Sequence, residues 1–490
     1  MPQNTPMSRL ESLKSVSFPK ASACRLAWLI FISCVSAFAA PIGDAFAQKS
    51  QAPNFIIIFT DDQGYGDVGC FGHPTIKTPN LDRMAAEGQK WTSFYVAANV
   101  CTPSRAALMT GRLPIRSGMF SDKRRVLFPD SDDGLPQSEI TIARHLKQKG
   151  YRTAAIGKWH LGHLPAYLPT SHGFDSYLGI PYSNDMDRVN DITHKEAFAH
   201  SKIEYFRVPL LRDTTEIQRP ADQNTIVKRY TEEAVKIIKE NKKGPFFLYM
   251  AHSLPHVPLF ASKDFVGTSE RGLYGDVIEE IDWSVGQILA TLKKEGLDKN
   301  TYVVFTSDNG PWALFNEQGG SAGLLFGNKG TSYEGGVRVP TIFWGPGHVK
   351  PGVVSGMGST LDLLPTFGKL AGVPLPTDRI YDGYDLSEVL HKGAASPRDE
   401  MYYYHGSRLF AARKGAYKLL YYKNNPLGYP EKLEKLEKYQ LFNLLHDPSE
   451  KYDLADEHPE TIRDIEAMVA KHREKATPAA THLEKRIGQK

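Results

Sequence analysis

Four short apolar runs, each stopping at a polar cluster, constrain the fold of this chain most. They are Asn54 to Thr60 (NFIIIFT), Tyr151 to Ile156, Phe246 to Met250 and Thr301 to Thr306 (TYVVFT). Continuous apolar runs of this length suit strands covered on both faces. Helical patterns lie between them. Asn80 to Glu87 is ended by Gly88 and Ser138 to Lys149 by Gly150. Thr225 to Asn241 carries Ile226, Tyr230, Ala234, Ile237 and Ile238 at helical spacing, and Asp276 to Glu295 is a long helix. This alternation predicts an α/β fold with a mostly parallel sheet flanked by helices. Near 393–399 (GAASPRD) the composition turns loop-like. Beyond it, Met401 to Tyr404, Leu409 to Arg413, Tyr417 to Tyr422 and Tyr439 to Leu445 read as short antiparallel strands. Pro459 to His472 reads as a closing helix, followed by a loose tail after Ala476. The predicted organisation is a main domain over 53–395 and a smaller C-terminal α+β subdomain, antiparallel sheet plus helix, over 396–490.

At 490 residues the chain can bury a core large enough for this layout. Its net charge of +4 is spread among interspersed acids and bases, which argues against a nucleic-acid footprint. Residues 1–47 read as an export signal. Lys14, Lys20 and Arg25 precede the apolar stretch Ala27 to Ala40, and Ala37-Phe38-Ala39 and Ala45-Phe46-Ala47 offer small-residue cleavage sites. A retained N-terminal anchor is the alternative. No later segment approaches the roughly 18 apolar residues of a membrane span. A periplasmic or secreted mature protein without a membrane span is expected. Cys24 and Cys34 fall within the signal, leaving Cys70 and Cys101, whose plain reading in an oxidising compartment is a disulfide.

Polar residues follow the apolar runs directly. Asp61 and Asp62 stand after the first, and Asp308-Asn309-Gly310 after TYVVFTS. Adjacent carboxylates repel unless a cation joins them, and strand ends of open α/β sheets are where ligands bind. A solvated acidic turn accounts for either pair alone; the two together make an oxygen-rich cage suited to calcium, with magnesium as the other candidate. Lys158 and His160 follow the 151–156 strand two residues apart, which places them on one face of extended chain. His252 and His256 follow the 246–250 strand, but Pro255 and Pro258 rule out the single helical turn that would hold zinc between them. One histidine as a proton donor in a cleft is the better reading. Gly327 to Thr331 (GNKGT) is a glycine-punctuated loop that can bring Lys329 close to an anion.

The remaining motif is Cys101 to Arg112, CTPSRAALMTGR. Thr102 suits an N-cap, Pro103 the first helical position, and Arg105 sits one turn in. Cys101 then lies just before a helix N-terminus, where free N–H groups favour an anion. With TDDQGYGDVG, TPNLDRMAAEG, GKWHLG, GFDSYLGIPYSND, HSLPHVP, TSDNG, GNKGTSYEGGVRVP and LFNLLHDPSEKYDLA, this motif makes residues 53–475 resemble the type I sulfatases of the arylsulfatase A and N-acetylgalactosamine-6-sulfatase group.

The resemblance implies an alkaline-phosphatase-like fold and hydrolysis of sulfate esters. It implies that Cys101 is converted to formylglycine by a formylglycine-generating enzyme, which would leave Cys70 unpaired. One hydroxyl of the hydrated aldehyde would attack sulfur and the other would later expel sulfate. Asp61, Asp62, Asp308 and Asn309 would hold one calcium, completed by converted Cys101. Arg105 and His160 would orient the diol, Lys158 and Lys329 would bind sulfate oxygens, and His256 would bind substrate and protonate the leaving oxygen. Sulfated saccharides or aryl sulfates are the expected substrates, and Asn184, Asp185 and Trp312 lie near the expected pocket mouth. The oligomeric state is not legible. A phosphomonoester or phosphonate hydrolase on the same scaffold and a non-catalytic exported glycan-binding protein are the alternatives.

Overall fold

Strand β1 (Asn54–Thr60) is buried at every position, as its run of Phe and Ile requires. Alternate side chains serve opposite cores: Phe55, Ile57 and Phe59 face one and Ile56 and Ile58 the other. The computed structural model describes residues 52–430 and 432–489. The expected export segment at 1–47 lies outside the described residues. Among the described residues, nine further strands complete the sheet of β1: β2 (Gln89–Tyr95), β3 (Arg152–Gly157), β4 (Ser176–Gly179), β5 (Leu210–Arg212), β6 (Thr215–Gln218), β7 (Phe246–Ala251), β8 (Thr301–Ser307), β9 (Thr341–Trp344) and β10 (Gly352–Ser359). Their spatial order is β10-β2-β9-β8-β1-β7-β3-β4-β5-β6. The run β8-β1-β7-β3-β4 is parallel throughout, while β9, β5 and β6 join it by antiparallel pairing. The α/β architecture expected from the alternating pattern is therefore the observed one.

Helices cover both faces. Leu81 and Met84 of Pro79–Glu87 join Ile226–Glu240 and Leu273–Lys294 on the Ile56 side. Cys101–Thr110, Ile142–Lys147 and Leu363–Ala371 cover the Phe55 side. The helix expected from Ser138 begins only at Ile142, because Thr141 accepts the Arg144 N–H and caps it there.

The C-terminal part forms a four-stranded antiparallel sheet, β11 (Glu400–His405), β12 (Arg408–Lys414), β13 (Tyr417–Lys423) and β14 (Glu434–Asn443), backed by the helix Pro459–Lys475. Strand β14 starts earlier than the sequence pattern suggested. The tail after Ala476 is not loose. Leu483 is fully buried, the Ala479 and His482 N–H groups donate to Ile115 and Gly118 carbonyls, and Ser131 bridges Arg486. Its polar composition hides these backbone pairings. No helix among the described residues is long and apolar enough to cross a membrane.

Candidate active site

Because β1, β8, β3 and β7 run parallel, the residues after each strand emerge at the same edge of the sheet. Backbone hydrogen bonds lace these ends together: Asp308 N–H donates to Thr60 O, Lys158 N–H to Ala251 O and His252 N–H to Phe59 O. Gly157 permits the close approach of β3 to β7. It has φ +96° and a Cβ there would lie 1.7 Å from the Ala251 carbonyl oxygen. Asp62 (φ 63°) and His160 (φ 59°) are non-glycine residues in left-handed backbone, strain of the kind that concentrates at functional sites.

The predicted acids meet the predicted cations here. Lys158 Nζ lies 2.6 Å from Asp61 Oδ2, Lys329 Nζ 2.7 Å from Asp62 Oδ2, and Arg105 donates through Nε and Nη2 (3.0 and 2.8 Å) to Asp308 Oδ2. All six side chains are nearly or wholly buried. Burial works against the charge of Asp61, but Lys158, Arg105 and Lys329 outweigh it and hold the carboxyl below its usual range. Burial, partly offset by Lys329 and reinforced by Asp61 and Asp308, pushes Asp62 up to about 7.

Cys101 opens its helix rather than preceding it, with Val100 at the N-cap. Thr102 does not cap. Its hydroxyl donates to the His160 carbonyl and accepts from the Leu127 N–H, which ties the helix start to the His160 and Leu127 segments. The Cys101 thiol donates weakly to Asp61 Oδ1 at 3.5 Å. Burial, reinforced by Asp308, raises the thiol well above its usual range, so as a cysteine it stays neutral and a poor nucleophile. Cys70 and Cys101 are both free thiols, and the disulfide reading falls.

The histidines sit in different surroundings. His256 Nε2 sits 3.6 Å from Asp62 Oδ2 and 3.4 Å from Ser183 Oγ, and burial with the nearby Lys329 and Lys158 lowers its pKa well below normal. His252 is buried with neither ring nitrogen hydrogen-bonded, and desolvation lowers it to about 3. His160 meets the Leu127 carbonyl through Nε2, leaving Nδ1 without a partner. Sequence reasoning missed Ser183, whose hydroxyl accepts from Lys158 Nζ at 3.1 Å. Its only signal was a place just beyond the apolar end of the short strand β4.

The donor set fits a hard cation. Ligand atoms of Asp61, Asp62, Cys101 and His256 all lie within 4.8 Å of one another. Asn309 donates to Asp62 Oδ1 while its own amide oxygen is buried and unpartnered. Asp308 is more committed, its Oδ1 accepting the Asp62 N–H and its Oδ2 held by Arg105. A cavity of about 730 Å³ opens above this group, lined among others by Cys101, His160, His256 and Lys329.

Buried carboxylates paired with two lysines and an arginine thus gather at strand ends beside a helix N-terminus, the edge at which open α/β sheets bind ligands. The family comparison makes the class specific. The sulfatase family model matches residues 53–373, and that of the C-terminal region of aryl-sulfatase matches 396–488. The chain is 40% identical to human (Homo sapiens) arylsulfatase A over 86% of this chain and 87% of that protein. It is 38% identical to mouse (Mus musculus) N-acetylgalactosamine-6-sulfatase over 90% of each. The solved structure of Ps i-CgsB in complex with k-i-k-neocarrahexaose superposes with a TM-score of 0.73 at 32% identity, covering 88% of this chain and 95% of that one. The chain belongs to the sulfatase family, and is a sulfuric ester hydrolase.

Proposed function

We propose that this protein releases inorganic sulfate from sulfate esters, saccharide or aryl, using residue 101 as formylglycine and one bound calcium. The observation that carries this reading is the position of Cys101. It opens a helix, lies within ligand reach of Asp61 and Asp62, and bears a thiol that burial keeps protonated. Sulfur is a soft donor in an otherwise oxygen set, whereas an aldehyde hydrate at the same position completes a hard one. Converted and hydrated, residue 101 supplies one hydroxyl for attack on sulfur and a second whose deprotonation expels sulfate. Asp61, Asp62, Asp308 and Asn309 would hold the calcium, which would supply positive charge at the sulfate position. Lys158 and Lys329 hold the ester oxygens in place, and Ser183 orients Lys158. Arg105 helps hold Asp61 below its usual range and pairs with Asp308, and Arg105 and His160 orient the hydrated residue 101. His256 carries a proton toward the leaving oxygen.

In this reading residues 53–395 form the catalytic unit and 396–490 an appendage that closes the pocket wall through Tyr429 and Arg486. Residues 1–47 direct export, which brings the chain past a formylglycine-generating enzyme to the periplasm or exterior. Turnover of 4-nitrophenyl sulfate tests the reading. Cys101→Ala should abolish it, His256→Asn should lower kcat about 10²–10⁴-fold, and chelation should remove activity that calcium restores. Faster release from 4-nitrophenyl phosphate than from the sulfate would instead favour a phosphomonoesterase.

A further inference from the structure

We propose that Lys123, Arg124 and Arg486 form an outer anion subsite of the active-site cavity, so that the favoured substrate is a saccharide with a second anionic group, sulfate or carboxylate, besides the ester that is cleaved. This rests on the sulfatase reading and narrows its substrate class. Lys123, Arg124 and Arg125 are consecutive in the sequence, and all three line the 730 Å³ cavity with Cys101, His256 and Lys329. Arg486 joins them from the C-terminal tail. The basic run is tied to the reaction centre two residues further on. Leu127 donates its N–H to the Thr102 hydroxyl, and its carbonyl meets His160 Nε2. Arg125 also packs on the Lys329 loop, where a Cβ at Gly330 would lie 2.2 Å from its Nη2. Side-chain exposure climbs from 5% at Lys329 through 11% at Arg124 and 46% at Arg486 to 78% at Lys123. The cations therefore run from the Lys329 end of the cavity out to its rim.

Cations outnumber carboxylates along this outer wall. Two carboxylates line the cavity among the described residues, Asp130 and Asp185. Asp185 lies two residues past Ser183, whose hydroxyl meets Lys158 and His256, so it belongs to the inner end. At the outer end Asp130 serves two guanidiniums, with Arg124 Nη2 at 2.5 Å and Arg486 Nε at 3.7 Å. Lys123 pairs with Glu484 at 3.0 Å. Such an exposed pair contributes little, so its lysine can turn to another oxyanion at small cost. Guanidinium groups suit the oxygens of sulfate and carboxylate, and a cleft lined by one sign of charge concentrates ligands of the other. A neutral sugar or a plain aryl monosulfate leaves these outer cations unanswered.

The test measures kcat/KM for galactose, glucose and N-acetylgalactosamine monosulfates, with the ester at each position in turn. Each is set beside derivatives bearing a second sulfate or a glycosidically linked glucuronate, with 4-nitrophenyl sulfate as a singly charged reference. Wild type should release the same ester from its best doubly charged sugar about tenfold faster than from the monosulfate parent, as a charge-assisted hydrogen bond allows. Which derivative is preferred tells sulfate from carboxylate. Lys123→Gln combined with Arg486→Gln should remove most of that ratio, chiefly through KM. Lys123→Arg with Arg486→Lys, which keeps both charges, should retain it. In wild type, raising NaCl from about 0.1 to about 1 M should shrink the ratio several-fold, because salt screens exposed charges. Equal kcat/KM for the parent and both derivatives overturns the proposal. So does a ratio that survives both charge removal and salt, or cleavage confined to 4-nitrophenyl sulfate. If wild type releases no sulfate even from 4-nitrophenyl sulfate, the sulfatase reading itself fails and the subsite falls with it.

Discussion

Asp67 shows how burial at one residue becomes a property of the whole chain. Its carboxyl receives Tyr274 OH at 2.6 Å, Gly64 N–H at 2.7 Å and Ser321 N–H at 2.8 Å, anchoring the loop that follows Asp61 and Asp62. Burial outweighs these donors and pushes Asp67 up to about 7. Between about pH 4 and 7 the folded chain therefore holds a proton that the unfolded chain has lost. Stability from this group is fully present below pH 4 and declines as pH rises through that window, by at most ~1.4 kcal/mol per pH unit. Denaturant unfolding at pH 5 and 7.5 checks this: the difference between the two should shrink in Asp67→Asn. A wild-type difference that survives the substitution would place the titration elsewhere.

At the scale of elements, the Cys101–Thr110 helix is buried at all ten positions, so its placement depends on specific ties rather than on an apolar stripe. Thr102 provides two, to the His160 carbonyl and the Leu127 N–H. Thr102→Val keeps the shape and leaves both backbone groups unpaired. It should cost ~1–3 kcal/mol in unfolding free energy and lower sulfate release more than its stability loss explains, because His160 loses its anchor. Normal kcat in this variant would show that the tie is structural alone. Asp61, Asp62, Asp308, Lys158 and the histidines were legible because each follows an apolar run whose carboxyl end the strand pattern locates, whereas Lys329 was read from its glycine-punctuated loop. Strand β2 (QKWTSFY) interleaves polar residues, β9 (TIFW) spans four, and β10 (GVVSGMGS) is a glycine-rich edge strand, so none gives a buried-run signal. Thr102 resembled a cap because its partners lie 58 and 25 residues away, beyond any local pattern.

Over the whole molecule, the two sheets are joined by buried charge. Lys418 of β13 lies 3.0 Å from Glu334 and 3.0 Å from Glu450, and Tyr95 at the end of β2 donates to Glu334 at 2.6 Å. Glu334 follows closely on the loop bearing Lys329, so the C-terminal sheet braces one wall of the site. Lys418→Met would leave buried Glu450 without its cation and Glu334 with Arg338 as its remaining ion-pair partner, and should destabilise the protein by ~3–5 kcal/mol, read as a lowered Tm with loss of cooperativity between the sheets. Sequence order gives no hint of this network, since its members lie on four separate segments. The central claim concerns a single atom within this frame. The direct measurement is the intact mass of the peptide carrying residue 101, taken from exported protein that releases sulfate. The account predicts the aldehyde or its hydrate at that position, in proportion to specific activity. Fully active protein carrying an ordinary cysteine there would contradict it.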